Sequence, residues 1–149
     1  AGRVDPGGPH GPAPLAIGRG VIRRPGERVA ILNFGARLQD AMQAAEQLSA
    51  QGDVNATVVD MRWVKPLDAE LIRELATAHE LFVTLEEHAV AGGAGSAVAE
   101  FLHQDGLRNA MLMLGIRDAY IEHGSPAEML ADCGLDAAGI AASILQRLR

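Results

Sequence analysis

Glu86, Glu87 and His88 stand side by side in the middle of the chain, and the glycine-rich run Gly92-Gly93-Ala94-Gly95-Ser96 follows them closely. Carboxylates beside an imidazole are the residue types of acid-base catalysis and of metal ligation. Glycines opening a helix suit a phosphate cradle, because backbone N–H groups at a helix start attract anions. Neither chemistry is supported by the spacing. Adjacent side chains on an extended segment point opposite ways, so Glu86 and Glu87 are not placed to share one substrate proton. A dinucleotide fingerprint needs G-x-G-x-x-G directly after a strand, whereas here Val98 stands at the third glycine position and residues 86–91 intervene. A P-loop needs a lysine that does not follow. Close backbone packing and capping is therefore the favoured role of the glycines, and contact with another subunit or domain that of the polar trio.

The remaining chemistry-bearing residues are scattered. Arg62 and Lys65 flank Trp63 in RWVKP and could hold an anion between them, but loop charges more often face solvent or a protein surface. His79 and His103 fall near expected helix C-termini, where an imidazole interacts well with the dipole. His10 and His123 complete the set without any H-E-x-x-H spacing. No serine sits in a G-x-S-x-G elbow. The single cysteine, Cys133, has no basic neighbour and reads as a small packed side chain suited to a reducing compartment. No catalytic, cofactor-binding or metal residue is assigned; Arg62, Lys65, Glu86, Glu87 and His88 are candidates for subunit or domain contact.

These residues are carried by alternating strand-like and helix-like segments. GVIRR and ERVAILNF, separated by Pro25-Gly26, read as a hairpin, and the continuously apolar stretch over 29–34 suits a strand covered on both faces. Leu38, Ala41, Met42, Ala45 and Leu48 make one helical stripe over about 36–50, stopped by Gly52. ATVVDM is the next strand. Asp68 then caps a helix that buries Leu71, Ile72, Leu75 and Ala76. LFVTL over 81–85 is a buried strand that delivers the polar trio into a loop, and Val98, Phe101 and Leu102 line the helix beyond. AMLML over 110–114 is a fourth parallel strand. GIRDAYIEHG is a loop, and Ser125, Pro126 and Glu128 are a helix start with cap hydroxyl, first-turn proline and answering glutamate. Gly134 stops that helix, Asp136 caps the last one, and Ile140, Ile144 and Leu148 are its apolar face. The expected fold is α/β: three layers, a mostly parallel five-stranded sheet with one antiparallel strand, and helices on both faces.

Composition bounds the function. At 149 residues the chain fits one domain over 15–149, preceded by a Pro/Gly-rich tail or linker over 1–14. The missing initiator Met suggests a piece of something longer. A net charge of -6 with one Trp, one Tyr and three Phe leaves neither the basic footprint nor the stacking platform of nucleic-acid binding. No apolar run approaches the ~18 residues of a membrane span, and no secretory signal is expected. A soluble, cytoplasmic protein is expected.

Four segments taken in order, ERVAILNFG, NATVVDMRWVKPLD, ELFVTLEEHAVAGGAGSAVAEFL and GIRDAYIEHGSPAEMLADCGLDAAGI, resemble the C-terminal domain of the 1-deoxy-D-xylulose-5-phosphate synthase family. The resemblance runs from about residue 15 to the end. A strand, an R-x-V-K-P-L-D turn and a strand ending in Glu-Glu before Gly-Gly are similar to the last domain across the wider transketolase group, including 2-oxoacid dehydrogenase β subunits. VDMRWVKPLD, GGAGSAV and GLDAAGI together are more specific to the synthases. Trp63 stands where that family suggests phenylalanine, and Ala91 where it suggests methionine. The resemblance implies a transketolase C-terminal-domain-like fold in a homodimeric enzyme that condenses pyruvate with glyceraldehyde 3-phosphate for isoprenoid, thiamine and pyridoxal synthesis. It implies that thiamine diphosphate and Mg²⁺ are held by the preceding domains, and that this chain binds no cofactor and is inactive alone. A free-standing nucleotide-binding domain using the Gly92 to Ser96 loop is the alternative from another class.

Overall fold

The computed structural model describes residues 14–52 and 54–149. The tail expected over 1–14 lies, apart from Pro14, outside the described residues. Along the chain run β1 (Val21–Arg24), β2 (Arg28–Phe34), α1 (Leu38–Ala50), β3 (Thr57–Asp60), α2 (Ala69–Ala78), β4 (His79–Ala89), α3 (Ala94–Gln104), β5 (Ala110–Ile116), α4 (Pro126–Asp132) and α5 (Ala137–Leu148). The strands form one sheet in the order β1-β3-β2-β4-β5, with β1 antiparallel to β3 and every other pair parallel. The expected fold class is borne out.

The expected hairpin is not. β1 pairs with β3, not with β2, through Val21↔Asp60 and Ile22↔Val59. The reason lies in β2. Its apolar run takes parallel neighbours on both edges, β3 from Ala30↔Thr57 and β4 from Val29↔Leu81, so no edge is left for β1. The half-polar VIRR strand suits the sheet edge, where Arg23 meets Asp60 at 3.0 Å. Pro25-Gly26 turns the chain under β3: a Cβ on Gly26 would lie 2.2 Å from the Asn55 carbonyl oxygen, so the crossing requires glycine.

Alternation along the central strands sorts the core into two layers. Val29, Ile31, Val83 and Leu85 face α1 and α5, meeting Leu48, Ile140 and Ile144. Ala30, Leu32 and Phe82 face α2 and α3, meeting Ile72, Leu75, Val98 and Leu102. Burying each of the large aliphatic side chains contributes about 1.5–3 kcal/mol before entropy is counted. Several caps read from sequence are present: Asp68 accepts from the Leu71 N–H at 3.2 Å, and Asp136 from the Gly139 N–H at 2.9 Å. Helices α2 and α3 are tied at the surface by Arg73, which donates two 2.7 Å bonds to Asp105 and lies over the Phe101 ring. That bidentate contact holds the Asp105 carboxyl below the usual aspartate range.

His79 ends α2 and begins β4. Its Nδ1 lies 2.9 Å from the Leu75 carbonyl, which can only accept, so this nitrogen carries the proton. In the neutral ring Nε2 then accepts from the Thr57 hydroxyl at 2.8 Å. One buried imidazole thereby satisfies a helix end and joins β3 to β4.

Candidate functional site

The chain leaves β2 for β3 on one side and β4 for β5 on the other, so the carboxyl ends of these two central strands border a topological switch point. A cleft of about 770 Å³ opens there. Phe34, Gly35 and Ala36 form one wall, Val64 of the β3–α2 loop a corner, and the start of α3 the other wall. Gly35, at φ +100, lets the chain turn away from β2 immediately and keeps the mouth open.

The polar trio lies elsewhere than in the expected loop. Observed β4 continues to Ala89, so Glu86, Glu87 and His88 occupy its carboxyl end, with a shift of register toward β5 between Leu85 and Ala89. Strand periodicity then separates the two glutamates, as expected. Glu86 points toward α3 and is buried, only 4 % exposed, accepting from the Ala94 N–H at 2.7 Å and the Gly95 N–H at 2.9 Å. Its carboxylate caps α3 from eight residues upstream and complements the positive end of the helix. Glu87 is exposed and lies 3.0 Å from Arg37 Nε, an ion pair by distance whose N–H is not aimed along the contact. Arg37 also meets Asp40 at 3.2 Å. His88 lines the cleft rim.

This cap decides between the two readings of the glycines. A phosphate would need the N–H groups that Glu86 already takes, and a second anion beside that carboxylate would be repelled. The glycines serve approach instead. A Cβ on Gly93 would stand 2.3 Å from Glu86 Oε2, and one on Gly95 2.5 Å from Thr84 Oγ1. The Thr84 hydroxyl beneath the helix is fully buried and has no hydrogen-bond partner.

Arg62 and Lys65 are not brought together around an anion. The Arg62 guanidinium lies 3.4 Å from Asp60, the same carboxylate that Arg23 uses, while Lys65 is exposed beyond Val64. Arg37, through its contact with Glu87, and Glu100, on the α3 wall of the cleft, were not legible as site residues in the sequence; the buried strand that ends before Gly35 is a signal for Arg37 alone. Among the described residues no group of three or more His, Cys, Asp or Glu side chains is arranged to hold a metal. No helix among them is long and apolar enough to cross a membrane. With Glu86 bonded to the Ala94 and Gly95 N–H groups, those donors at the start of α3 are taken and do not fit a diphosphate.

A doubly wound α/β sheet with a single antiparallel edge strand and an internally capped third helix defines a class of domain shared by many proteins. The chain belongs to the transketolase C-terminal domain family, whose model matches residues 18–140. It is 60% identical over 135 residues to the 1-deoxy-D-xylulose-5-phosphate synthase of Pseudomonas aeruginosa, covering 91% of this chain and 21% of that protein. To the synthase of Pseudomonas putida it is 56% identical over 146 residues, covering 95% and 22%. The chain therefore spans about a fifth of the length of the curated relatives it matches. Among solved structures, a split-gene transketolase described as an inactive beta4 tetramer superposes with a TM-score of 0.82 at 36% identity, over 89% of this chain and 43% of that one. The transketolase of Campylobacter jejuni shares the fold, with a TM-score of 0.62 at 17% identity over 85% of this chain and 18% of that one. These matches bear out the resemblance read from the motifs.

Proposed function

We propose that this chain works as the C-terminal domain of a 1-deoxy-D-xylulose-5-phosphate synthase, packing against the catalytic domains and owning no chemistry of its own. The observation that carries the reading is the 60% identity to such a synthase across 91% of the chain. The whole enzyme would join pyruvate and glyceraldehyde 3-phosphate with loss of carbon dioxide, in the cytoplasm and as a homodimer. Thiamine diphosphate and Mg²⁺ would be held by the preceding domains, with residues 1–14 as the linker from them. Support for a non-catalytic role comes from Glu86, the one buried acid of the polar trio, whose two oxygens are engaged by backbone N–H groups. The matched beta4 assembly, described as inactive, is consistent with a chain of this family that does not work alone. Glu87, His88, Arg62 and Lys65 remain the candidates for contact with neighbouring domains, whereas the buried side chain of Glu86 acts through α3.

The test is direct. The 149-residue chain is mixed with pyruvate, glyceraldehyde 3-phosphate, thiamine diphosphate and Mg²⁺, and product is measured beside the enzyme that contains it. No turnover by the chain and turnover by the longer enzyme is the expected result. Turnover by the chain alone, or calorimetric binding of thiamine diphosphate to it, would overturn the proposal.

A further inference from the structure

Between β5 and Gly134 the chain is firmly specified and yet has no buried residue. Residues 117–120 and 122–128 are all exposed, Tyr120 to 88%, and α4 has no buried residue. The start of α4 is nonetheless fixed by a full capping box, and Gly134 at φ +70 ends the turn that follows it. Two neighbouring hollows, of about 190 and 210 Å³, share Ile121 and Cys133 as their dividing wall. The larger is apolar, formed by Ile116, Pro126, Met129 and Leu130, with Glu87 at its rim. The smaller holds the charged side chains, Arg117, Glu122 and Asp132, together with Tyr120. Glu122 and Asp132 thus stand beside Arg117 at the smaller hollow, while Glu87 at the larger one already meets Arg37.

We propose that this surface receives a segment of the longer enzyme in which an arginine lies next to a large apolar side chain. The inference rests on the reading above, in that the segment comes from the four-fifths of the relatives' length that this chain does not span. The apolar side chain fills the hollow between Ile121 and Met129. The guanidinium lies on the Tyr120 ring, where cation–π attraction is available, within reach of Glu122 and Asp132. An exposed tyrosine beside an apolar hollow is the composition of an interface anchor. The charge selects against a second copy of the same surface, because a two-fold contact would set the acidic rim against itself.

In the longer enzyme that contains this chain, a photocrosslinking benzoylphenylalanine placed at position 120 is irradiated and the adducts are mapped by mass spectrometry. Position 46, exposed on α1 and outside both hollows, is the control. The expected adduct joins position 120 to an arginine-bearing peptide outside these 149 residues, at a yield several-fold above that at position 46. The double variant Glu122→Lys with Asp132→Lys, both at exposed positions, lowers that yield several-fold. Adducts confined to residues of this domain, in the same or another copy, or a yield no higher than at position 46, would overturn the proposal. Turnover of pyruvate with glyceraldehyde 3-phosphate is measured on the same samples. An enzyme that turns over without the adduct removes the docking surface and leaves the proposed function; an adduct in an enzyme without turnover removes the function and leaves the surface.

Discussion

Two helices have a glutamate carboxylate bonded to backbone N–H groups at their start, and the two glutamates differ in what they bind together. Glu86 reaches α3 from β4, so its hydrogen bonds join a strand to a helix and are buried. Glu128 sits inside α4 itself and bonds back to Ser125 only three residues away, in full exposure. The first cap belongs to the tertiary fold; the second orders a local turn and leaves its surroundings unburied. Rigid architecture at the β4–α3 corner and an ordered but unpartnered surface at α4 are the consequence.

That contrast is broken most strongly at Glu86. Glu86→Ala strands two buried N–H groups at the positive end of α3, and loss of charge-assisted bonds of this kind costs about 3 kcal/mol. A lowered urea midpoint with an unchanged slope is the expected outcome; an unaltered midpoint would mean that water takes over the cap. Gly95→Ala attacks the same corner from the helix side. Its new methyl would sit 2.5 Å from Thr84 Oγ1 under backbone that α3 cannot easily lift, for a cost of roughly 2 kcal/mol. Denaturation of the Gly95→Ala chain combined with Thr84→Ala should recover part of that loss.

Thr84→Val runs in the opposite direction. The hydroxyl is buried without a partner, and exchanging it for a methyl of similar shape removes an unmet desolvation cost of about 1 kcal/mol. Thermal unfolding should shift upward. A downward shift would show that an ordered water bridges the hydroxyl to the cleft.

Most of the architecture was legible from period and punctuation. The stripe on α1, the continuous run of β2 and the Ser125-Pro126-Glu128 signal each describe an element that its own residues specify. What escaped depended on partners distant in sequence. The Pro25-Gly26 dipeptide is a turn signal for a hairpin, but which strand lies beside β1 is decided by the occupancy of both edges of β2. Strand periodicity separated Glu86 from Glu87, yet nothing local showed that Glu86 would cap a helix eight residues on. Nor could spacing show that the 117–132 stretch is ordered without being buried, since a loop and a capped helix start do not reveal what packs across them.

The smallest expected effect lies in the exposed cap. The Ser125 hydroxyl and backbone N–H donate to Glu128 at 2.7 and 2.8 Å and hold its carboxyl below its ordinary value of 4.5. A group whose folded value is depressed stabilises the fold above its unfolded value, and that contribution is lost as pH falls through the folded one. The contribution of Glu128 is therefore intact near neutrality and disappears in acid below 4.5. Ser125→Ala removes the hydroxyl donor, so the Glu128 carboxyl followed by NMR should titrate closer to 4.5, and the α4 amides should exchange faster. Because α4 has no buried residue, the global unfolding midpoint should stay where it is. A global loss comparable to that of Glu86→Ala would erase the distinction between the two caps, and would mean that α4 is bound into the core more firmly than its exposure indicates.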